Sequence, residues 1–278
     1  MIVQIFNTIF FLPILNLLVG FYKLFLFIKI PGALGFAIIA LTIAIRLLFQ
    51  PFFQKQIETA KKMQELKPHL DNLSEKHKND KKQLQAEQLK LYQQHGINPT
   101  SGCLVMIIQM PIFIALYQAL YEPFKHGGLK TAAIEINKKL YPSFVPFLKI
   151  ISIDPWFLGF NLAISPKQAG VWYYLLIPLV TGILQYFQAQ ASMPQAPVKA
   201  SEVKQTTDNK QDKDKKKNDQ GDFQKAMNTQ MKYMFPLMIG YFSYTLPVGL
   251  ALYWNIFSIM GIMQYKKVNN KSQVLNKK

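Results

Sequence analysis

The sequence predicts an all-α integral membrane protein, with five transmembrane helices, a cytoplasmic helical hairpin and an N-terminal interfacial helix. Three observations carry that expectation. Half of the 278 residues are apolar, and they gather into blocks long enough to cross a bilayer. Polar, lysine-rich segments separate the blocks. The formal charge of +17 lies in these segments, so it reads as topology determination and attraction to anionic lipid headgroups, with no specific nucleic-acid partner.

Residues 1–30 are apolar but interrupted. Beyond Pro13, Asn16, Gly20 and Lys23 share one helical face with Leu, Phe and Val opposite, which suggests a bent amphipathic helix lying in the outer interface. An extra span or an uncleaved anchor is the alternative. No basic n-region precedes the apolar stretch and no small-residue cleavage site follows it, so a cleaved signal peptide is not expected. The first span is placed at 31–53. Residues 54–98 are charged with mixed signs, and Leu66, Leu70 and Leu73 face Leu84, Leu89, Leu91 and Tyr92 across an Asn79–Lys82 turn. That pattern makes a helical hairpin projecting into water, with Pro68 bending or dividing its first arm. The second span, 99–122, follows the Asn98–Pro99 break. Residues 123–168 read as an irregular extracytoplasmic loop and 169–190 as the third span. The linker, 191–230, has almost no apolar content over 194–222 and is expected to be disordered.

Residues 231–265 are apolar for a length of about 52 Å as one helix, too long for a single ~30 Å hydrocarbon core. Leu246–Pro247 and Gly249 supply the break between a fourth and a fifth span, and 266–278 form a basic tail. Placing the hairpin, linker and tail in the cytoplasm puts 23 lysines there, counting Lys232 at the cytoplasmic end of the fourth span, and leaves eight outside. This favours five spans with the N-terminus outside and the C-terminus cytoplasmic, over a version in which 141–164 also crosses.

Arg46 is the only arginine in the chain. Mid-span, an arginine costs ~2.5–3.5 kcal/mol on insertion scales and normally faces protein or water. Snorkelling is disfavoured, because Arg46 lies ~12 Å from the cytoplasmic end of its span and helical side chains lean toward their own N-terminus. Thr42, Arg46, Gln50 and Gln54 are spaced at i+4, Gln109 sits mid-span in the second helix, and Asn255 and Ser258 share a face beside Trp254. Converging, they would enclose a hydrophilic groove with one permanent charge; ordinary interhelical hydrogen bonding is the plainer account of each alone. No catalytic set accompanies them. His69, His77, His95 and His126 all fall in loops, Cys103 is alone, no Asp lies in a span, and Glu122 is the only acid near one. Intramembrane proteases, metal centres and Walker-type nucleotide sites are therefore not expected, nor is any cofactor or enzyme activity.

The stretch ALGFAIIALTIAIRLLFQPF, arginine included, resembles the first core span of the YidC/Oxa/Alb insertase family. NPTSGCLVMIIQMPIFIALYQAL resembles that family's hairpin-to-second-span signature, notably Asn98–Pro99, Gly102–Cys103–Leu104, Gln109 and Pro111; WFLGFNL and GLALYWNIFSIMGIMQ resemble its later blocks. Val105 departs from the family's usual proline, and the large β-domain of Gram-negative members has no counterpart, which suggests the short bacterial form. The resemblance implies a five-helix core in the bacterial cell membrane, with an Arg-bearing groove open to cytoplasm and lipid and a mobile hairpin that receives substrate. It also implies nascent membrane proteins as partners. Whether the protein works alone or beside a Sec translocon, and how its tail meets the ribosome, stays open at this point. A small anion transporter or channel using Arg46 is the alternative, disfavoured by the lack of an internal repeat.

Overall fold

A computed structural model describes residues 1–77, 80–97, 101–121, 124, 129–192 and 230–275. The Asn98–Pro99 break, Glu122, the 194–222 linker and the last three residues fall outside them. The chain starts as one long helix in three stretches, α1 (Ile2–Phe6), a π-turn (Asn7–Phe11) and α2 (Leu12–Phe27). The π-turn precedes Pro13, whose ring removes a donor from the helical ladder. After a turn with Lys29 and Gly32 at positive φ come α3 (Ala33–Leu48), α4 (Gln50–Lys76), α5 (Lys81–Gln94) and α6 (Ser101–Leu120). Then follow α7 (Leu129–Lys138), α8 (Val145–Leu148), strands β1 (Trp156–Phe157) and β2 (Phe160–Asn161), α9 (Pro166–Ala169), α10 (Leu176–Ser192), α11 (Phe235–Thr245) and α12 (Val248–Leu275).

By length and composition, Val3–Phe27 and Val248–Val268 can each cross a membrane, and a third crossing is available if the bent pair α3–α4 counts as one span. The expected first span to residue 53 is shortened, since α3 stops at Leu48 and α4 leaves at 67°. Pro51 explains the bend, because it cannot donate back to the preceding turn and its ring crowds the carbonyl four residues earlier. Gln50 and Gln54 therefore do not continue the face that carries Thr42 and Arg46. Gln54 is exposed.

The α4–α5 pair closes over Leu66, Leu70, Tyr92 and Ile97, with Met63 and Leu91 against them. Two details differ from the sequence expectation. Pro68 does not divide α4, and Leu89 points outward at 51% exposure while Ile97 takes its place in the cluster. Asp80 caps α5 by accepting from Gln83 N at 3.0 Å, a favourable N-cap.

The stripe of Asn16, Gly20 and Lys23 on α2 faces protein. Asn16 Oδ1 accepts from Tyr141 N at 2.9 Å, Lys23 Nζ donates to Lys149 O at 3.1 Å, and Gly20 lies against Leu148. Nearby, Asp154 N donates to Tyr22 Oη at 3.0 Å. The polar stripe thus docks the 141–154 segment. The opposite residues Leu15, Leu18 and Val19 meet Leu34 of α3, Ala119 and Leu120 of α6 and Ile136 of α7 around an apolar cavity of about 20 Å³.

The expected irregular loop is more ordered than its composition suggests. Trp156 pairs with Asn161 and Phe157 with Phe160; Leu158 and Gly159 at the tip both have positive φ, the geometry of a two-residue turn matched to strand twist. The hairpin presses Phe157 onto Gly35, where an added Cβ would lie 2.2 Å from the ring, and Phe36 meets the same ring edge-on at 5.2 Å. Beyond it, Ile164 O and Leu162 O accept from Val248 N and Gly249 N at 3.0 and 2.9 Å. These bonds satisfy donors that a helix start leaves open. The break between α11 and α12 falls at Leu246–Pro247, where Leu246 is extended. α12 then runs to Leu275, so Lys266, Lys267 and Lys271 continue a helix where a tail was expected.

Candidate functional site

Four elements converge on Arg46. α3 carries it, α4 supplies Phe53, Gln56 and Ile57 just after the bend, α10 supplies Gln188, and α12 supplies Phe257, Gln264 and Tyr265. Together they line a cavity of about 50 Å³. On α12 the positions 253, 257, 261 and 265 follow one another at i+4, so Tyr253, Phe257, Gly261 and Tyr265 form one row. The row's small member lets the arginine in: a methyl on Gly261 would stand 2.6 Å from Arg46 Nη2.

Arg46 is only 3% exposed. Its guanidinium carbon lies 4.2 Å from the centroid of the Phe53 ring and 4.1 Å from that of Phe257. Among the described residues no carboxylate forms an ion pair with it. The ring faces supply the compensation, since a desolvated cation–π contact is worth about 2 kcal/mol or more. The groove expected to be open at Arg46 is covered here, because α4 bends back at Phe49 and lays Phe53 and Ile57 over the charge.

Several polar atoms in and beside this region are buried with no hydrogen-bond partner, namely Arg46 Nε, Asn255 Oδ1, Ser258 Oγ and Gln264 Oε1. Buried polar groups are normally satisfied, and an exception marks a site that water or a polar ligand can complete. A cavity of this volume with convergent polar groups is large enough to admit water.

Of the residues singled out from sequence, Arg46 alone lines the cavity. Thr42 is buried but bonds its own helix, donating to Ile38 O at 2.6 Å, as a helical threonine commonly does. Gln50 sits at the bend, half-buried. Gln109 donates through Nε2 to Tyr253 Oη and so reaches the α12 row one turn from Phe257. Trp254 stacks on Phe113, with centroids 5.1 Å apart and rings 9° from parallel, and ties α12 to α6. Ser258 is fully buried and Asn255 partly so. Sequence reasoning passed over Phe53, Gln56, Gln188, Phe257, Gly261, Gln264 and Tyr265. The glutamines were legible as polar residues in apolar blocks, but phenylalanine and glycine in a span carry no signal of their own. The helices of the Gly102–Cys103–Leu104 signature and of Val105 belong to the backbone of α6.

Fold and site together define a helical membrane protein organised around one occluded arginine. The chain belongs to the family described as the 60Kd inner membrane protein, the YidC/Oxa/Alb family, whose model matches residues 26–276. The inner membrane ALBINO3-like protein 2 of Chlamydomonas reinhardtii is 32% identical over 85% of this chain and 50% of its own length. The membrane protein insertase YidC of Oceanobacillus iheyensis is 29% identical over 95% of this chain and 84% of its own length. The chain spans about half the length, or less, of several other relatives, 52% of the Pisum sativum inner membrane protein PPF-1 and 33% of a Helicobacter pylori YidC. Among solved structures, an active YidC insertase with its first transmembrane domain resolved matches with a TM-score of 0.53 at 21% identity, over 88% of this chain and 44% of that one. At that identity the likeness speaks for the fold.

Proposed function

We propose that this protein is a membrane protein insertase and chaperone, moving newly made membrane proteins from the cytoplasm into the lipid bilayer without nucleotide hydrolysis. The observation that carries the reading is the lone guanidinium, buried without a carboxylate partner among the described residues and surrounded by incompletely satisfied polar atoms. Such a site attracts an acidic or polar flank of a passing chain and shortens the hydrocarbon path it must cross, while the substrate's apolar segment partitions into lipid. Membrane potential adds ~2.3 kcal/mol per charge per 100 mV for acidic tails moving to a positive outside. Family membership supports the same reading.

In this proposal α3, α6, α10, α11 and α12 are the five spans, with the N-terminus outside and the C-terminus in the cytoplasm of a bacterial cell. The α4–α5 pair is the cytoplasmic hairpin. The contacts of α2 with the 141–154 segment support an interfacial placement, as do its apolar partners at the Leu120 end of α6 and at the Leu34 end of α3, the end of that helix away from Arg46. Phe53 and Ile57 belong to α4, so tilting the hairpin about Phe49 would uncover Arg46 to an arriving substrate. The partners are nascent membrane proteins and anionic lipids, with a Sec translocon and the ribosome as further candidates.

Reconstitution tests this directly. Pure protein in liposomes should insert a small membrane protein with an acidic translocated tail, with no nucleotide added. Insertion no greater than in protein-free liposomes would defeat the proposal. An anion channel, the rival reading, would instead pass small anions through the same liposomes.

A further inference from the structure

We infer that Gly261 is a positioning residue for the charge of Arg46, seating the guanidinium in the corner formed by the rings of Phe53 and Phe257. The inference deepens the insertase reading and rests on it for its functional consequence. Three observations from different elements support it. The hypothetical Cβ of Gly261 falls 2.6 Å from Arg46 Nη2, closer than any real contact, and 3.3 Å from Gln188 Nε2. Phe257, one turn earlier on the same row, stacks its ring 4.1 Å from the guanidinium carbon. Phe53 reaches in from α4 at 4.2 Å and meets Phe257 in a T-shaped contact with centroids 5.7 Å apart, so the two rings form a corner around the cation.

The arrangement has the shape of a corner. Two ring faces set 73° apart both look onto the cation, and the bare backbone at 261 leaves space for its Nη2 edge. Guanidinium suits such a corner because it is planar, weakly hydrated and stacks on aromatic faces; an ammonium does none of these. Any side chain at 261 intrudes on the space that Nη2 occupies. The group it meets is the tip of a flexible side chain, so Arg46 would move and the helix would not. Alanine also raises helix propensity over glycine, which spares the fold. Volume at 261 therefore sets where the charge of Arg46 lies and how deeply it is sequestered, a specificity control acting through Arg46 with no contact to substrate required.

The single arginine makes the test direct. In full-length protein labelled with ¹⁵N-arginine and held in nanodiscs, one side-chain Hε–Nε cross-peak is expected, displaced upfield by the ring currents of Phe53 and Phe257. Gly261→Ala should move that peak toward the position of an unstacked arginine at unchanged thermal stability. Phe53→Leu should move it the same way, and Ile259→Ala, on an exposed face of the same helix, should leave it in place. A functional arm follows. Gly261→Ala should lower insertion of an acidic-tailed substrate about fivefold relative to its neutralised twin, within the range found for residues in direct contact. The penalty should vanish in the Arg46→Lys background, where no Nη2 remains to collide. A cross-peak unmoved by Gly261→Ala, or a penalty that persists with Arg46→Ala, would overturn the inference. A moved peak alongside equal insertion of both substrates by Arg46→Ala would keep the positioning role and remove the insertase charge mechanism instead.

Discussion

The two ends of the helical core solve the same problem in opposite ways. Around Leu34, Leu120 and Ile136 the cavity is small, about 20 Å³, and apolar, and the polar groups near it are paired. Asn16 bonds Tyr141, Tyr22 bonds Asp154, and Asn137 holds Ile150 through both its carbonyl and its amide, at 3.0 and 2.7 Å. Around Arg46 the cavity is about 50 Å³, and polar atoms of Arg46, Asn255, Ser258 and Gln264 are left without partners. Satisfied polar groups rigidify a core, and unpartnered ones mark a place where it is incomplete. In the proposed function, the Arg46 end is the one that accepts something polar.

The largest effect should come from damaging the sealed end. Gly35→Ala puts a methyl where the Phe157 ring lies 2.2 Å away, and that ring is wedged against Phe36. Overpacking of this kind costs about 1–3 kcal/mol, so the melting temperature in detergent should fall by several degrees. An unchanged melting temperature would mean that the 156–161 hairpin is not pinned to α3. A second, intermediate effect belongs to the Arg46 end. Removing residues 60–94 with a short bridge, while keeping Phe53, Gln56 and Ile57, should leave melting of the core nearly unchanged but impair insertion. The α4–α5 pair has its own small apolar cluster, and the ties of α4 to the Arg46 site run through Phe53, Gln56 and Ile57, which this deletion keeps, so the loss should cost the core little. Undiminished insertion would deny the hairpin a receiving role. The smallest effect is expected at the surface. Glu135 is held below the usual carboxylate range, first by the hydrogen bond from Lys138 and then by its charge. Its contribution would be present above the unfolded value and lost as pH falls through the folded one, but solvent around the exposed pair screens it. Glu135→Gln should therefore leave the melting curve unchanged between neutral and mildly acidic pH.

Much of this contrast was legible in the chain. Arg46 stood out because charge inside an apolar run is costly, and the α11–α12 break was visible because Pro247 cannot continue a helix. The bend at Phe49 also had its signal in Pro51, but the apolar Phe52–Phe53 pair masked it by extending the run. That masking placed Gln50 and Gln54 on a face they do not share with Arg46. The turn at Leu158–Gly159 lacked the usual Asn-Gly or Asp-Gly signature, so its hairpin read as loop. The partners of Arg46 were hidden for a different reason. Phe53, Phe257 and Gly261 are ordinary span residues by composition, and only the crossing of α3, α4 and α12 gathers them around one cation.

The central claim is that the charge of Arg46 acts on substrate, and one measurement addresses it most directly. Insertion of paired substrates, one with an acidic translocated tail and one with that tail neutralised, is compared in cells depleted of the native protein and supplied with Arg46→Ala at matched abundance. The variant should still fold, since no buried acid among the described residues is left unpaired and a desolvation cost is removed. The account predicts roughly tenfold loss for the acidic substrate, with a much smaller loss for the neutral one and partial recovery with Arg46→Lys, which keeps charge without the planar fork. Equal loss for both substrates at normal abundance would show that Arg46 holds helices together, and would contradict the claim.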